Sequence, residues 1–463
     1  MLLRLTLTLG HLLFFLWPAV TQAAPGVSLS SNTVLDNSAI YFVSYDGLVN
    51  VNSFQLNGVL TYGSYQYAGW YAADKTVKLA RRKTGATSWE TLTLNHSLVA
   101  QDSHNVVTLG VSPADGRIHV AMDCHSTRLY YTVSAASAAG TAVGWSASLF
   151  GSITNTIGSL NIGTVITYPQ FVVTPSNLLQ FVYRTGVSGN GDYQLAEYNN
   201  GTWTSVGQWA KKEGSYTQNG GTSSARSLYI HGFTYRDGRA HVTGTWRENS
   251  GSVTCNSGGL TNHDTVYIYS DDAGRAWKNA AGTTVSKPIS VTTSGIIVDS
   301  LNPDHGLMNQ ESQDVDSNGR IHALISYVPG RFKQCVTSYQ SDRTAYGHAF
   351  HVYQASNGTF VKVEIPFDIG SVGRSQIALD ANDNAYVVLP FGRIVTASAS
   401  SGWTDWTMAF NGSSQGLNAF GEVTVDRPGL VASGRKNLGV LYQEKSSNGA
   451  SSPIHVAQFT LGG

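Results

Sequence analysis

Short runs of alternating apolar and polar residues, separated by tight turns, make up most of this chain. A clear example starts at the turn Asp115-Gly116 and continues through residues 117–122, where Ile118 and Val120 alternate with polar neighbours. A period of two residues is the pattern of a β-strand with one buried face. Runs rich in Val, Ile, Thr, Tyr and Phe recur along the whole chain, and long amphipathic helical patterns do not. The pattern therefore predicts an all-β protein.

The turns that lead into strands recur seven times. Their central residues are at positions 74, 116, 177, 238, 319, 383 and 434, which leaves 42 to 81 residues between neighbours. A four-stranded propeller blade with its loops is roughly this long. We therefore expect a single domain over residues 24–463, folded as a seven-bladed β-propeller. A β-sandwich or a β-helix is the alternative.

The first 23 residues have the pattern of a secretory signal peptide. A basic start at Arg4 is followed by the apolar run Leu12–Trp17, and small residues end it at Ala23. The apolar run is too short to span a bilayer with ease, and nothing comparable follows. The sequence thus predicts a soluble protein that is secreted and extracellular, cleaved after Ala23. Four sequons would carry glycans if the host is a secreting eukaryote: Asn95, Asn200, Asn357 and Asn411.

Charge gives no support to a nucleic-acid or membrane partner. The chain has 29 basic and 29 acidic residues, so it carries no net charge that would favour either. We expect a monomer that acts on neither. The chain also has only three cysteines, which does not suggest a disulfide-dense scaffold.

One short motif supports the propeller prediction. Residues 270–277, Ser-Asp-Asp-Ala-Gly-Arg-Ala-Trp, fit the Asp-box pattern Ser-x-Asp-x-Gly-x-Thr-Trp, with Ala276 in the threonine place. In such a hairpin turn the aspartate binds backbone N–H groups, the glycine takes a special dihedral angle and the tryptophan packs beneath. We interpret this motif as structural and not as catalytic.

Two histidines and a tyrosine–arginine pair are the first candidates for chemistry. His104 lies in a polar cluster before an apolar run, and His125 follows the strand at 117–122, so one hairpin could bring them together. Tyr168 and Arg184 stand at the boundaries of two adjacent predicted strands. Taken alone, this second pair is better explained as a cross-strand contact at the surface.

A second cluster could bind a metal. Two cysteines and two histidines would suit a tetrahedral structural zinc: His231, Cys255, His263 and Cys335. Their spacing is not that of any local zinc motif. The alternatives are a Cys255–Cys335 disulfide or free buried thiols.

Several stretches together resemble one known family. They are Asp102-Ser103-His104-Asn105, the segment 116–131, Tyr229-Ile230-His231-Gly232, Thr245-Trp246-Arg247-Glu248 and the segment 262–277. This set is similar to BNR-repeat propellers that include polysaccharide lyases acting on ulvan. It is also similar to fungal lyases that cut rhamnose from glucuronate, as at the ends of gum arabic side chains. The resemblance covers residues 100–280 by motif and the rest by repeat architecture.

The resemblance implies roles for particular residues. His104 and His125 match the two active-site histidines of the family, Tyr168 its catalytic tyrosine and Arg184 its carboxylate-binding arginine. Arg226 and Tyr229 match further substrate contacts more loosely. The zinc set of some relatives matches the two histidines and two cysteines given above, although this chain differs between Cys255 and His263. It also has serine after His125, where relatives more often have asparagine.

These residue types suit β-elimination from a uronate. An arginine offsets the carboxylate charge so that the C5 proton becomes acidic, a base takes that proton, and an acid protonates the departing O4. We favour a histidine as base, because its ordinary pKa of about 6.5 needs little adjustment. The step needs no cofactor. The predicted function is cleavage of the rhamnose-α-1,4-glucuronate linkage in a uronate-containing polysaccharide or oligosaccharide.

Four other functions fit parts of the pattern. The first is an ulvan lyase. A sialidase shares the Asp box but needs a Phe-Arg-Ile-Pro signature, for which 391–395 is a poor match. An α-L-rhamnosidase on the same fold would leave a saturated glucuronate. A carbohydrate-binding propeller without activity would give no new chromophore.

Overall fold

A computed structural model describes residues 24–462, so the predicted signal peptide lies outside the described residues. Within this part nearly all regular structure is antiparallel β-strand, which confirms the predicted all-β class. No helix of the described residues is long and apolar enough to cross a membrane. The two α-helices of this part are α1, Tyr339–Tyr346, and α2, Arg427–Ala432. Short 3-10 helices are at Ala147–Leu149, Gly251–Val253, Pro303–His305, Pro390–Gly392, Ala399–Ser401 and Gly412–Ser414.

The strands are short and follow one another closely. Strands β1 to β15 are Val27–Ala39, Val43–Ser44, Gly47–Leu48, Val59–Tyr62, Tyr65–Tyr71, Thr76–Lys83, Glu90–Ser97, Thr108–Ser112, Arg117–Met122, His125–Thr127, Tyr130–Val133, Ile166–Val173, Leu179–Val187, Asn190–Asn199 and Thr202–Ala210. Strands β16 to β33 are Glu213–Gln218, Gly221–Arg236, Arg239–Glu248, Asn262–Ser270, Trp277–Lys278, Thr284–Val285, Ile297–Asp299, Ser312–Val315, Ile321–Tyr327, His348–Gln354, Phe360–Asp368, Gln376–Leu379, Ala385–Leu389, Arg393–Ala397, Thr407–Asn411, Thr424–Val425, Asn437–Gln443 and Ser452–Leu461.

The strands of residues 24–462 form eight sheets, one of which is the small β2–β3 hairpin. The other seven succeed one another along the chain: β4–β7; β8, β9 and β11; β10 with β12–β15; β16–β22; β23–β26; β27–β30; and β31–β33 with β1. Most neighbours within a sheet are consecutive in sequence. Local turns of the kind the sequence predicts therefore connect them.

The two ends of the described chain meet in one sheet. Strand β1 pairs antiparallel with β33 over most of its length, so the last sheet takes its outer strand from the N-terminal part. The inner strands of successive sheets also pack side by side, from β4 and β8 through β12, β17 and β23 to β27, and β32 packs beside β4. The sheets therefore follow each other in space as they do in sequence, and the first is next to the last.

The predicted Asp box is present as a hairpin turn. Oδ1 of Asp272 accepts hydrogen bonds from the backbone N–H groups three and four residues further on, at 3.1 and 2.8 Å. Gly274 has a φ of 86°, which a glycine adopts without strain. Trp277 is fully buried beneath the turn. Asp316 and Asp380 accept hydrogen bonds from the backbone N–H groups two and four residues further on. Turns of a similar kind therefore occur in several sheets.

Candidate active site

His104 and His125 lie side by side, as the sequence predicts. His104 is in the loop between β7 and β8, and His125 is the first residue of β10, which pairs with β12. Their rings are stacked with centroids 4.3 Å apart and an interplanar angle of 21°. The side chains are 18% and 21% exposed, so solvent and a ligand can reach them.

Asp102 holds both rings in place. One carboxylate oxygen bonds to Nδ1 of His104 and the other to Nδ1 of His125, each at 2.6 Å. Oδ1 also accepts the backbone N–H of His104 at 2.9 Å, the local turn that an Asp two residues upstream favours. Because Nδ1 of each ring is bonded to Asp102, only the Nε2 atom of each ring remains available. Neither Nε2 atom has a hydrogen-bond partner among the described residues.

Hydrogen bonding and burial set the charge of this trio. Burial opposes ionisation of Asp102, but the bonds from both histidines bring the pKa of its carboxyl far below the usual range. Burial lowers the pKa of His104 to about 4, against the opposing effect of Asp102. At neutral pH the trio therefore contains a carboxylate and a neutral His104 whose Nε2 can accept a proton or a hydrogen bond.

Tyr168 reaches the histidines because its strand is irregular. The pairing of β12 with β13 slips between Thr167 and Gln170, and Tyr168 has a φ of 57°. Bulges of this kind redirect a side chain, and positive φ in a non-glycine residue is costly and concentrates at functional sites. The Tyr168 ring lies 6.1 Å from that of His104 and 6.3 Å from that of His125.

Arg184 lies beneath two tyrosine rings. Its guanidinium carbon is 4.8 Å from the centre of the Tyr168 ring and 5.1 Å from that of Tyr229. The side chain is fully buried. Its three nitrogens have no hydrogen-bond partner of regular geometry within residues 24–462. A buried cation without a partner is costly, so this charge must act on its neighbours or on a ligand.

The pKa values of the two tyrosines shift in opposite directions, although the charge of Arg184 acts to lower both. Burial alone would raise the pKa of Tyr229, but the charges of Arg184 and Arg247 lower it to about 8. Burial and the neighbouring Tyr229 raise the pKa of Tyr168 well above its ordinary value. Tyr168 is thus a phenol at neutral pH, whereas Tyr229, whose hydroxyl is 3.0 Å from that of Ser188, is close to ionisation.

Arg226 does not join this group, which corrects the prediction that it contacts substrate. It forms a fully buried, bidentate ion pair with Glu248 at 2.6 and 3.0 Å. Two further N–H groups donate to the carbonyl oxygens of Lys212 and Ser223. Four of its five N–H donors are thus used inside the protein, and because the side chain is fully buried it does not reach a sugar.

Comparison with known proteins places this site in a family. The sequence pattern of the family described as BNR repeat-containing family member matches residues 65–367. The chain belongs to the BNR repeat-containing family. It is 24% identical over 402 residues to the ulvan lyase, long isoform, of Glaciecola sp. (strain KUL10), across 77% of this chain. It spans only 38% of the length of that relative.

Solved structures show the same fold. The crystal structure of the polysaccharide lyase Uly1 matches with a TM-score of 0.71 at 18% identity, over 93% of this chain and 99% of that one. A PL25 ulvan lyase matches with a TM-score of 0.63 at 14% identity, over 94% of both chains. A second structure of that enzyme, bound to -[GlcA(1-4)Rha3S]-, matches at 0.62 with 13% identity, again over 94% of both chains. This member of the BNR family therefore has the propeller-like all-β fold of polysaccharide lyases.

The zinc prediction is wrong for this family member. Cys255 and Cys335 form a disulfide, so neither sulfur is a thiolate ligand. His231 instead accepts the backbone N–H of Glu311 at Nδ1. His263 bonds to Glu248 and Asp264, both at 3.0 Å. Among the described residues these four side chains form no common cluster. Elsewhere the ligand atoms of Asp102, His104 and His125 lie within 4.8 Å of one another, but their mutual hydrogen bonds already occupy the carboxylate.

The disulfide gives a prediction for stability. It joins residues 80 positions apart, and closing so long a loop restricts the unfolded chain. We expect the double variant Cys255→Ser/Cys335→Ser to lose about 2–4 kcal/mol in free energy of unfolding, measured by chemical denaturation. Chelators and added zinc should leave the wild-type protein unchanged. A stability that falls with a chelator and returns with zinc would restore the metal hypothesis.

Three residues of the site escaped the sequence analysis as functional candidates. Asp102 and Arg247 each lie in a stretch that carries the family resemblance, so an adjacent signal existed for both. Phe54 stacks on His104 with centroids 5.4 Å apart and planes 9° apart, but nothing in its local sequence marks it. Its position depends on packing between sheets that are distant in the chain.

Asp102 should matter through the histidines and not by touching substrate. In Asp102→Asn one amide must replace two strong acceptor bonds, so one imidazole loses its fixed tautomer. We expect kcat to fall by about 10–10²-fold with KM nearly unchanged. The acid limb of the pH–rate profile should move to lower pH, because Asp102 raises the pKa of His104 and removing its charge makes His104 harder to protonate. Asp115→Asn is the matched control, since Asp115 binds Arg117 and Tyr198 in a neighbouring turn. An unchanged profile in Asp102→Asn would contradict the positioning role.

Proposed function

We propose that this chain is a polysaccharide lyase that releases rhamnose from a glucuronate by β-elimination, breaking the bond between C4 and O4 of the glucuronate. The observation that carries the proposal is the close grouping of a fixed histidine pair, two tyrosines with opposite pKa shifts and a buried arginine that has no acidic partner among residues 24–462. A purely carbohydrate-binding surface has no need for such a set of titratable groups.

The substrate carboxylate needs a cation that it can reach. Arg184 is fully buried, so a carboxylate contacts it only if a tyrosine ring above it moves. Arg247 is half-buried, lies 5.7 Å from the Tyr229 ring, and its guanidinium has no ion-pair or hydrogen-bond partner among residues 24–462. We assign the first contact with the carboxylate to Arg247, with Arg184 supplying further positive charge from beneath. The sequence predicts Arg184 alone as the residue that binds the carboxylate, and we extend this role to both arginines.

The remaining groups divide the proton transfers. The Nε2 atom of His125 accepts the C5 proton. His104 stacks on the ring of His125 and positions the sugar. The C5–H electrons form the C4=C5 double bond as the C4–O4 bond breaks. Tyr168 remains a phenol at neutral pH and gives its proton to the departing oxygen, the former O4 of the glucuronate, which leaves on rhamnose. Solvent then returns the proton from His125 to Tyr168.

Ulvan is the second candidate substrate. The relative from Glaciecola is an ulvan lyase, and one matching structure is bound to a glucuronate–rhamnose 3-sulfate chain. The same elimination would apply, since both substrates offer a glucuronate beside a rhamnose. The two differ in sulfation and in whether the bond lies at the end of a chain.

Two further proposals concern the number of propeller blades and the cellular location of the protein. We infer that the seven successive sheets are the seven blades of one propeller, because the inner strands pack in chain order and the first sheet adjoins the last. We also propose that the protein is secreted, which suits an enzyme whose substrate is an extracellular polysaccharide. A structure with six or eight blades, or a protein retained in the cell, would contradict these inferences.

Three incubations separate the candidate substrates. The purified protein is given gum arabic, native ulvan or desulfated ulvan, and both ultraviolet absorbance and free rhamnose are followed. A rhamnose-releasing lyase gives absorbance and free rhamnose from gum arabic. An ulvan lyase gives absorbance from ulvan with oligosaccharides and little free rhamnose. Rhamnose without absorbance would identify a hydrolase instead.

A further inference from the structure

A groove of about 620 Å³ lies beside the candidate site. It runs between the turn of the β2–β3 hairpin and helix α1, and Val372 and Phe420 form part of its wall. The groove is polar on the α1 side, where serine and threonine side chains line it, and aromatic on the hairpin side, where Tyr45 stands. Such a mixture of hydroxyl groups and an aromatic face suits a sugar ring.

Tyr45 is displayed on a turn that tyrosine rarely occupies. Tyr45 and Asp46 are the two central residues of the hairpin, with φ values of 55° and 62°. Two positive φ values define a turn that Asn-Gly or Asp-Gly normally fills. The conformation is held by Asp46, whose carboxylate accepts hydrogen bonds from the Ser371 hydroxyl at 2.6 Å and the Val372 N–H at 3.3 Å. Tyr45 thus combines a strained backbone with an exposed fraction of 45%. This combination points to a function for its ring.

Two contacts connect this groove to the candidate site. The hydroxyl of Ser44, at the start of the turn, hydrogen-bonds to that of Ser103, which lies between Asp102 and His104. On the other wall, the Tyr45 ring is 5.9 Å from that of Tyr339. Burial and Tyr45 raise the pKa of Tyr339 to about 12, and the charge of Arg247 is near enough to oppose this rise. Contacts in both walls of the groove therefore place it next to the site.

We propose that this groove is a subsite for one further sugar of the substrate chain, with Tyr45 as its stacking surface. The inference rests on the proposed function and extends it, because it assigns the enzyme a preference for substrates longer than the reacting disaccharide. The occupant is a sugar residue covalently continuous with the glucuronate that the histidines contact. The hydroxyl groups along α1 would bind its ring hydroxyls, and Tyr45 would cover its apolar face.

The test compares a minimal and an extended substrate. Tyr45→Asn removes the ring but places a residue that accepts positive φ, so the fold should be kept or slightly stabilised. We expect kcat/KM to fall about tenfold on an oligosaccharide with a sugar beyond the rhamnose–glucuronate pair, through KM, and to stay unchanged on the isolated pair. Tyr45→Phe should behave like wild type. Tyr346→Asn, at an exposed tyrosine on α1 outside the groove, is the matched control.

Binding distinguishes failure of the subsite from failure of the function. Affinities for the same two sugars are measured by calorimetry in His125→Ala, with and without Tyr45→Asn, so no turnover is needed. Weaker binding of only the extended sugar in the Tyr45→Asn background supports the subsite even if wild type proves inactive as a lyase. Equal affinities, or an equal loss for both sugars, overturn it. If wild type eliminates neither sugar, the proposed function fails separately.

Discussion

Replacing His125 with alanine should abolish most turnover while the fold survives. His125 presents the Nε2 that we assign to the C5 proton, and Asp102 holds its other nitrogen at 2.6 Å. A general base typically contributes about 10²–10⁴-fold in rate. We therefore expect kcat of His125→Ala to fall by that factor, with KM changed little, in an assay of the unsaturated product. His104→Ala should lose less rate and more affinity, since we assign it to positioning.

Folding and site effects can be separated with one control. His305→Ala removes another half-buried histidine, one that packs against Tyr327. It should keep near-full activity, and circular dichroism should show native structure in all three variants. If His125→Ala and His104→Ala both retain near-full activity with normal folding, the active site lies elsewhere on this fold.

Removing the charge of Arg184 should cost both rate and binding. Arg184→Met keeps the unbranched apolar part of the side chain but leaves Tyr168 and Tyr229 without the cation beneath them. The carboxylate of the substrate loses the same positive charge in the ground state and in the transition state. We expect kcat/KM to fall by about 10²–10³-fold, shared between kcat and KM.

A titration checks the electrostatic part of this argument. Arg184 and Arg247 lower the pKa of Tyr229 to about 8, so one tyrosine of the wild-type protein should ionise near pH 8. In Arg184→Met burial is less opposed, and the pKa of that tyrosine should rise toward or above its ordinary value of about 10. Ultraviolet difference absorbance of tyrosinate measures this directly. Arg247→Met should raise the same pKa and mainly increase KM. A titration near pH 8 that persists in Arg184→Met would contradict the proposed charge coupling.

The sequence predicts the fold well because its signals are local. The Asp-Gly and Asn-Gly turns and the alternation in strands such as residues 117–122 depend only on near neighbours, and the Asp box at 270–277 is a self-contained hairpin. All of these are present in the structure. The closing of β1 onto β33 has no local signal, because it joins residues more than 400 positions apart.

The sequence predicts the site well where two residues match family positions. It predicts the site less well where contacts between side chains decide the role of a residue. His104 and His125 meet as expected, but the carboxylate between them is visible only once both rings are placed. Arg226 resembles a substrate contact in sequence, yet Glu248, directly opposite it on the neighbouring strand, binds its guanidinium. Cys255 and Cys335 could be assigned to zinc or to a disulfide, and only their approach in space decides between the two.

The central claim is that the bond between C4 and O4 of the glucuronate is broken by elimination. The most direct measurement is the structure of the uronate product from a rhamnose-α-1,4-glucuronate glycoside, determined by nuclear magnetic resonance after complete reaction. The account predicts one C4=C5 double bond for each rhamnose released, with loss of the C5 proton. A saturated glucuronate that keeps its C5 proton would show hydrolysis and would contradict the account.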